Sequence, residues 1–409
     1  MGPRTTWHQD DSAVVELRQY THHPGTRDTL IALFESSFVP RMETLGMRVL
    51  AHFRDADDPN RFVWMRGYPR MAERKAMCEA FYGDPVWLSR RDAANATLVD
   101  TDDVLLMKPS NATSSFLLAP ERGAVAPLGD GGMALLTTWL FTAPVDEDFV
   151  RFFETRAVPI LERLGGPSIG RFRTDGAKND FPRHPIREGE NAFVWLSTFA
   201  SAAELDGFVA RLEADPAWTT TVMAAVTPRL ASSPRRTRLV PTARSRVRHV
   251  PLPDVAPPGD ARDFDFLAGA WSVRNERLTA RGTDVHTWEE FASEATETPY
   301  LGGIANVEEM TFASKGTIGM AVRNFDRAAR RWSITWISST DGALCPPVHG
   351  GFDGDRGVFY GEDEDGGENV RVRFVWTRMG EDAARWEQAF SVGGAAWRTN
   401  WVMRFTRRS

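Results

Sequence analysis

From Val14 to Thr21 apolar and polar residues alternate and strand formers dominate, until Pro24-Gly25 breaks the run. Leu30, Leu33, Phe34 and Phe38 then recur at helical spacing, which predicts an amphipathic helix with its apolar stripe turned to a sheet. Met47–Phe53 and Phe62–Tyr68 read as strands joined by a polar loop over 55–60. Met71–Ala80 reads as a helix, and Asp84-Pro85 starts a further helical turn, with proline where its missing N–H costs little. Val104–Lys108 closes the unit. This βαββαβ order predicts a four-stranded antiparallel sheet with both helices on one face.

The pattern then repeats. Phe34-Glu35 with Val39-Pro40 and Leu45-Gly46 returns as Phe153-Glu154 with Val158-Pro159 and Leu164-Gly165, a shift of 119 residues that also carries Phe53-Arg54 to Phe172-Arg173. Phe62-Val63-Trp64 returns as Phe193-Val194-Trp195, and Asp84-Pro85 with Trp87 as Asp215-Pro216 with Trp218, at a shift of 131. Two constant offsets separated by one 12-residue insertion indicate a duplication. Each copy needs a cover for its bare sheet face, and the other copy's sheet is the natural one.

Glu16-Leu-Arg-Gln-Tyr20, Pro24-Gly25, the helix ending near Gly46, the Phe-Val-Trp strand and the Asp-Pro-x-Trp turn together resemble the NIPSNAP family. The resemblance spans residues 12–110 and, more weakly, 132–241. It implies a dimeric α+β-barrel fold; the family's biochemical roles are poorly defined, so it implies no particular reaction. Pro241–Pro258 reads as a Pro- and Arg-rich linker.

From Asp263 the texture changes to short β-rich segments between turn clusters, such as Gly302-Gly303 and the run over 361–367. Eight of the 14 tryptophans lie here, many on one strand parity: Trp332 with Trp336, Phe374 with Trp376, Trp397 with Trp401. They either fill a small barrel or wall a ligand cavity, with Trp336, Trp376 and Trp401 as candidate binding residues. The opening around Gly269-Ala-Trp271 and the closing run to Arg404 resemble lipocalin-like calycin domains over 262–407. That resemblance implies that Trp271 and Arg404 are closure residues, the arginine lying over the tryptophan. The expected fold class is therefore α+β: two ferredoxin-like βαββαβ modules forming a pseudo-dimeric α+β barrel, plus an all-β calycin-like barrel.

A net charge of −6 gives no basis for nucleic-acid binding, and no apolar run is long enough for a membrane span. Cys78 and Cys345 fall in different expected domains and form no disulfide or metal pattern, which fits a reducing, cytoplasmic setting. Gly2 and Thr6 satisfy a loose myristoylation pattern that Pro3 makes a chance match. The expected partner is a small hydrophobic organic ligand, with the chain a monomer or homodimer.

No phosphate loop, dinucleotide turn, zinc-protease motif or nucleophile elbow is present. His22-His23 is the one histidine pair; adjacent strand residues point to opposite faces, and a surface role is expected. The informative signal is how the copies differ. Glu16, Arg18 and Tyr20 become Leu135, Thr137 and Trp139; Arg66 and Tyr68 become Ser197 and Phe199; His52 becomes Arg171. If these positions face the barrel interior, copy one holds a charge network there, either a structural ion-pair lattice or a site. As a site, Glu16 or His52 would be general base, Tyr20 or Tyr68 acid, and Arg18 or Arg66 would steady an anionic intermediate such as an enolate. Trp64, Trp139 and Trp195 are candidate ligand-binding residues. The loop over 175–191 in copy two is a lid or a surface excursion. No cofactor or metal is expected. The functions in view are a cofactor-independent enzyme (cyclase, isomerase or oxygenase type), a hydrophobic-ligand carrier, and a haem enzyme with His52 as ligand.

Overall fold

The structure, a computed structural model, describes residues 8–112, 114–118, 132–249, 255–279, 287–365, 368–392 and 397–408. The Gly2/Thr6 pattern, part of the Pro/Arg linker (250–254) and the end of the 361–367 turn lie outside the described residues. Two compact units divide the chain, Gln9–Pro251 and a second comprising Met1–His8 with Leu252–Ser409.

In the first unit, module one contributes β1 Val14–His22, β2 Arg48–Asp55, β3 Arg61–Tyr68 and β4 Leu98–Pro109. Module two contributes β5 Met133–Phe141, β6 Ser168–Thr174, β7 Asn191–Phe199 and β8 Arg235–Pro241. The eight form one closed barrel in the order β8-β2-β3-β1-β4-β6-β7-β5, with β5 returning to β8. Each module supplies four adjacent strands, and the seams are antiparallel pairings of β8 with β2 and of β4 with β6.

The helices cover the outside. Module one has α1 Arg27–Leu33 and α2 Val39–Thr44, then α3 Met71–Tyr82 and α4 Pro85–Asn95. Module two has α5 Glu147–Phe152, α6 Val158–Arg163, α7 Ala202–Ala214 and the short α8 Ala224–Val226. Between α1 and α2 the chain widens into a π turn, Phe34–Phe38, with the Val39 N–H reaching back to the Phe34 carbonyl. Between α5 and α6 the same occurs at Phe153–Ala157. A proline follows each turn, at 40 and 159. Its ring cannot pass the carbonyl four residues back, and the wider turn relieves that clash.

Strand alternation then decides what each residue meets. Val15 and Leu17 of β1 join Phe53, Met65, Leu105, Met107, Phe172, Val194, Leu196 and Leu239 in an apolar core made by both sheets inside the barrel. Glu16, Arg18 and Tyr20 point the other way, under the module-one helices. The expectation that this line of polar groups faces the interior is corrected. Both faces of the sheet are covered, so eight of the nine β1 residues are buried and burial carries no parity cue. The interior, shared by two sheets with no helix to bring partner charges, takes the apolar set.

The second unit is a closed up-and-down barrel of ten strands: β9 Gly269–Leu278, β10 Trp288–Tyr300, β11 Ala305–Phe312, β12 Thr317–Asp326, β13 Arg331–Ser338, β14 Val348–Asp353, β15 Arg356–Asp365, β16 Glu368–Arg378, β17 Ala383–Val392 and β18 Arg398–Arg407. A short 3-10 turn over Asp265–Leu267 precedes it, and Phe264 plugs one end against Trp332, Phe352 and Trp376. The closure differs from expectation in one residue. Arg407, not Arg404, lies over Trp271, 4.2 Å from the ring, and donates to the carbonyls of Ala268 and Phe266. Arg404 pairs with Glu276 instead. On β18, Trp401, Met403 and Phe405 belong to the barrel core, which leaves Arg404 on the opposite parity. Among the described residues no helix is long and apolar enough to cross a membrane.

Candidate functional site

In module one a charged cluster sits within the otherwise apolar layer between sheet and helices, which Leu30, Phe34, Phe38, Phe62 and Phe81 help to fill. Glu16 is fully buried and accepts from Arg18 Nη1, Arg66 Nε and Arg74 Nε, each at 2.7 Å. Burial alone would push its carboxyl up, but the guanidinium groups of Arg66, Arg18 and Arg74 outweigh that and hold it well below the usual carboxylate range. Arg74 was not singled out in the sequence. It lies on the inward stripe of α3 with Cys78, Phe81 and Tyr82, and its counterpart 131 residues on is Leu205.

The arginines next set the tyrosines. Arg18 Nε donates to the Tyr20 hydroxyl at 2.8 Å, and Arg66 Nη1 to the Tyr82 hydroxyl at 3.4 Å. A guanidinium can only donate, so both hydroxyls act as acceptors there and their own hydrogens are directed elsewhere. Burial raises the Tyr82 hydroxyl pKa against the pull of Arg66, which keeps it protonated. Tyr68 lies deeper, its hydroxyl 3.3 Å from Cys78 Sγ and 3.5 Å from Glu16. Burial also pushes its pKa well up.

Tyr20, Arg66 and Tyr82 line a cavity of about 390 Å³, walled by Phe34, Phe38, Trp64, Phe81 and Trp87. That volume lies toward the low end of the roughly 300–1,000 Å³ usual for small-molecule pockets. The indole N–H groups of Trp64 and Trp87, Nε2 of His184, and Nη2 of Arg18 behind the wall make no hydrogen bond. Asp100 and Asp102 stand at the outer rim. The cavity is therefore aromatic in body, rich in donors at its inner end and acidic at its mouth.

Module two covers it. The inserted loop reaches across β4 so that Asn179 and Asp180 both meet Arg74, while Phe181 and His184 stack on Tyr82, His184 at 4.0 Å. Burial, then the nearby charges of Arg18 and Arg66, lower the His184 pKa to about 2, so its imidazole is neutral. The loop is a lid by position. His184 had no signal of its own in the sequence beyond its place in a 12-residue insertion.

The other candidates lie elsewhere. His52 is fully buried, its Nδ1 3.2 Å from the Glu35 carboxylate and in very close contact with Thr242. It lines neither main cavity. Glu35 is held at a pKa of about 2: burial would raise it, but hydrogen bonds from His52, Thr242 and the Arg244 backbone prevail. Module two repeats this brace as Glu154–Arg171, 2.7 Å apart, tying the π turn to its strand. Trp139 and Trp195 pack edge-to-face, 4.7 Å apart, within the apolar layer of module two, and a cavity of about 160 Å³ lies beside Trp139. His22, expected at the surface, is buried on the helix side against Phe62. The sheet face it shares with Tyr20 is covered, which the pair alone did not reveal. In the second unit Trp336, Trp376 and Trp401 all line a cavity of about 890 Å³. Among the described residues no group of three or more metal-binding side chains comes together.

With this geometry established, the relatives can be placed. Residues 15–112 match the NIPSNAP family model. The NIPSNAP match covers module one, which holds the charged layer. No curated protein sequence matches the chain. Among solved structures, the chain is similar to an uncharacterized NIPSNAP domain protein from Burkholderia xenovorans (18% identity, 23% of this chain and 90% of that one, TM-score 0.21). It is also similar to a protein provisionally named a monooxygenase from Fusobacterium nucleatum subsp. nucleatum (8%, 58% and 98%, TM-score 0.38). A third is an anthrone oxidase-like protein (11%, 60% and 99%, TM-score 0.34). At such identities these likenesses say nothing about chemistry.

Proposed function

We propose that module one is a cofactor-independent enzyme site for a small hydrophobic organic molecule bearing an enol, phenol or carbonyl oxygen. The observation that carries this is the pair of arginine-held hydroxyls, Tyr20 on Arg18 and Tyr82 on Arg66, on the wall of one aromatic cavity. Each hydroxyl has its hydrogen left for a ligand oxygen, and each is polarised by a guanidinium behind it. Two such donors stabilise an oxyanion as it forms, which is what enolisation, isomerisation, cyclisation and cofactorless oxygenation have in common. Glu16 serves as counter-ion and not as base, because three guanidinium groups hold it ionised and occupied. The ligand's flat body rests among Phe34, Trp64 and Trp87.

The test uses 4-nitrophenol, whose phenolate absorbs visible light and whose phenol does not. The bound probe is expected to ionise about one pH unit below the free one, a roughly tenfold preference for the anion. Tyr20→Phe and Tyr82→Phe each remove most of that shift. A bound probe that ionises as it does in water, or that shifts as far in either variant as in the parent chain, rejects the reading.

A further inference from the structure

A second set of buried polar groups sits inside the ten-stranded barrel. Glu297 on β10 stands directly opposite Glu308 on β11, and Arg323 on β12 reaches both carboxylates. Like charges opposite one another repel, and one guanidinium offsets only one of them. Burial, with Glu308 adding to it, raises the Glu297 carboxyl to about 7 against the pull of Arg323. With one proton held the three side chains sum to neutral, and without it to one negative charge.

Two donors in this set have no partner: Arg323 Nε and the indole N–H of Trp376. Both residues are 2% exposed, both line the cavity of about 890 Å³, and the guanidinium lies 5.5 Å from the indole ring. A buried N–H without an acceptor costs about 1–3 kcal/mol, which a ligand oxygen would recover. That oxygen has to be uncharged, because a carboxylate placed there would face Glu308 with Arg323 already neutralised. Among the described residues at the mouth, Glu289, Asp341, Asp363 and Glu364 outnumber Arg277 and Lys315, a second bias against anions. Trp386 and Trp401 wall the space between.

We propose that the C-terminal barrel binds an elongated hydrophobic molecule through a neutral carbonyl oxygen, that of a ketone, ester or amide, held at its inner end by Trp376 and Arg323, and that it rejects the corresponding free acid. This site is independent of the one in module one and has the opposite charge preference.

Methyl 1-pyrenebutyrate and 1-pyrenebutyrate share one body and differ in this charge. Binding to the full chain at pH 8 is read by energy transfer from tryptophan to pyrene. The ester is expected to bind at least ~10-fold more tightly than the acid, and Trp376→Phe to weaken the ester by about tenfold while keeping the ring. Glu308→Gln narrows the preference by admitting the acid. Tyr20→Trp, which fills the module-one cavity, leaves ester binding unchanged. Equal or tighter binding of the acid, no binding of the ester, an unaffected Trp376→Phe variant, or loss of the ester in Tyr20→Trp would each overturn the proposal.

Discussion

Modules one and two share strand order, the π turn, the acid brace beneath it and an edge-to-face aromatic pair, Tyr20–Trp64 in one and Trp139–Trp195 in the other. Both fill the layer beneath their helices mainly with apolar side chains, yet its centre differs in chemistry. Module two packs Leu135, Trp139, Trp195, Phe153 and Phe208 and is nearly full. Module one places Glu16, Arg18, Arg66 and Arg74 there, and a cavity remains. Hydrogen bonds demand direction and rings do not, so an ionic layer cannot close every gap that an aromatic one closes. A site can thus arise through a change in what fills one layer, with an inserted loop to cover it.

The largest effect expected from breaking this comparison is at the centre of the network. Glu16→Leu writes module two's residue into module one and strands three buried guanidinium groups; a loss of about 3–5 kcal/mol in denaturant unfolding is expected. Converting the whole set to its module-two counterparts (Glu16→Leu, Arg18→Thr, Arg66→Ser, Arg74→Leu) should recover part of it, since no buried guanidinium is then left without its counter-ion. A single change costing under about 1 kcal/mol would show that the two layers are not energetically different. Trp139→Tyr tests the reverse direction. It opens the full layer and buries a hydroxyl with no arginine behind it, for about 1–3 kcal/mol by the same measurement. Tyr20→Trp gives the converse, a filled cavity, read as at least ~10-fold weaker 4-nitrophenol binding with the fold intact.

A smaller effect sharpens the comparison of the braces. The Glu35 pKa is depressed from 4.5 to about 2, so its stabilising contribution is present above pH 4.5 and is lost as pH falls through 2. Glu35→Gln should therefore lower the melting temperature at pH 6 and show a shallower acid loss than the parent chain. An acid limb of unchanged slope would mean that the brace contributes nothing measurable.

Much of this was readable in the chain. The offsets of 119 and 131 exposed the repeat, and the Glu16/Leu135, Tyr20/Trp139 and Arg66/Ser197 contrasts located the layer where the copies diverge. The face was not readable, because alternation separates two sets without saying which meets helices and which meets the other sheet. Arg74 was legible in principle, as a lone arginine at the helical spacing of Cys78 and Tyr82. Its partner Asp180 and the stacking His184 were not: they arrive from 100 residues away on an irregular loop with no period to read. The closure arginine, expected at Arg404, is Arg407, three positions further along β18 and on the parity of Trp401 and Phe405.

The π turns allow a statement about history. Both lie at one offset, 34 and 153, so the wide helix belonged to the ancestor before its gene segment doubled. Two copies in one chain no longer have to serve both halves of a symmetric pair, so one can hold a polar lining while the other supplies the lid over it.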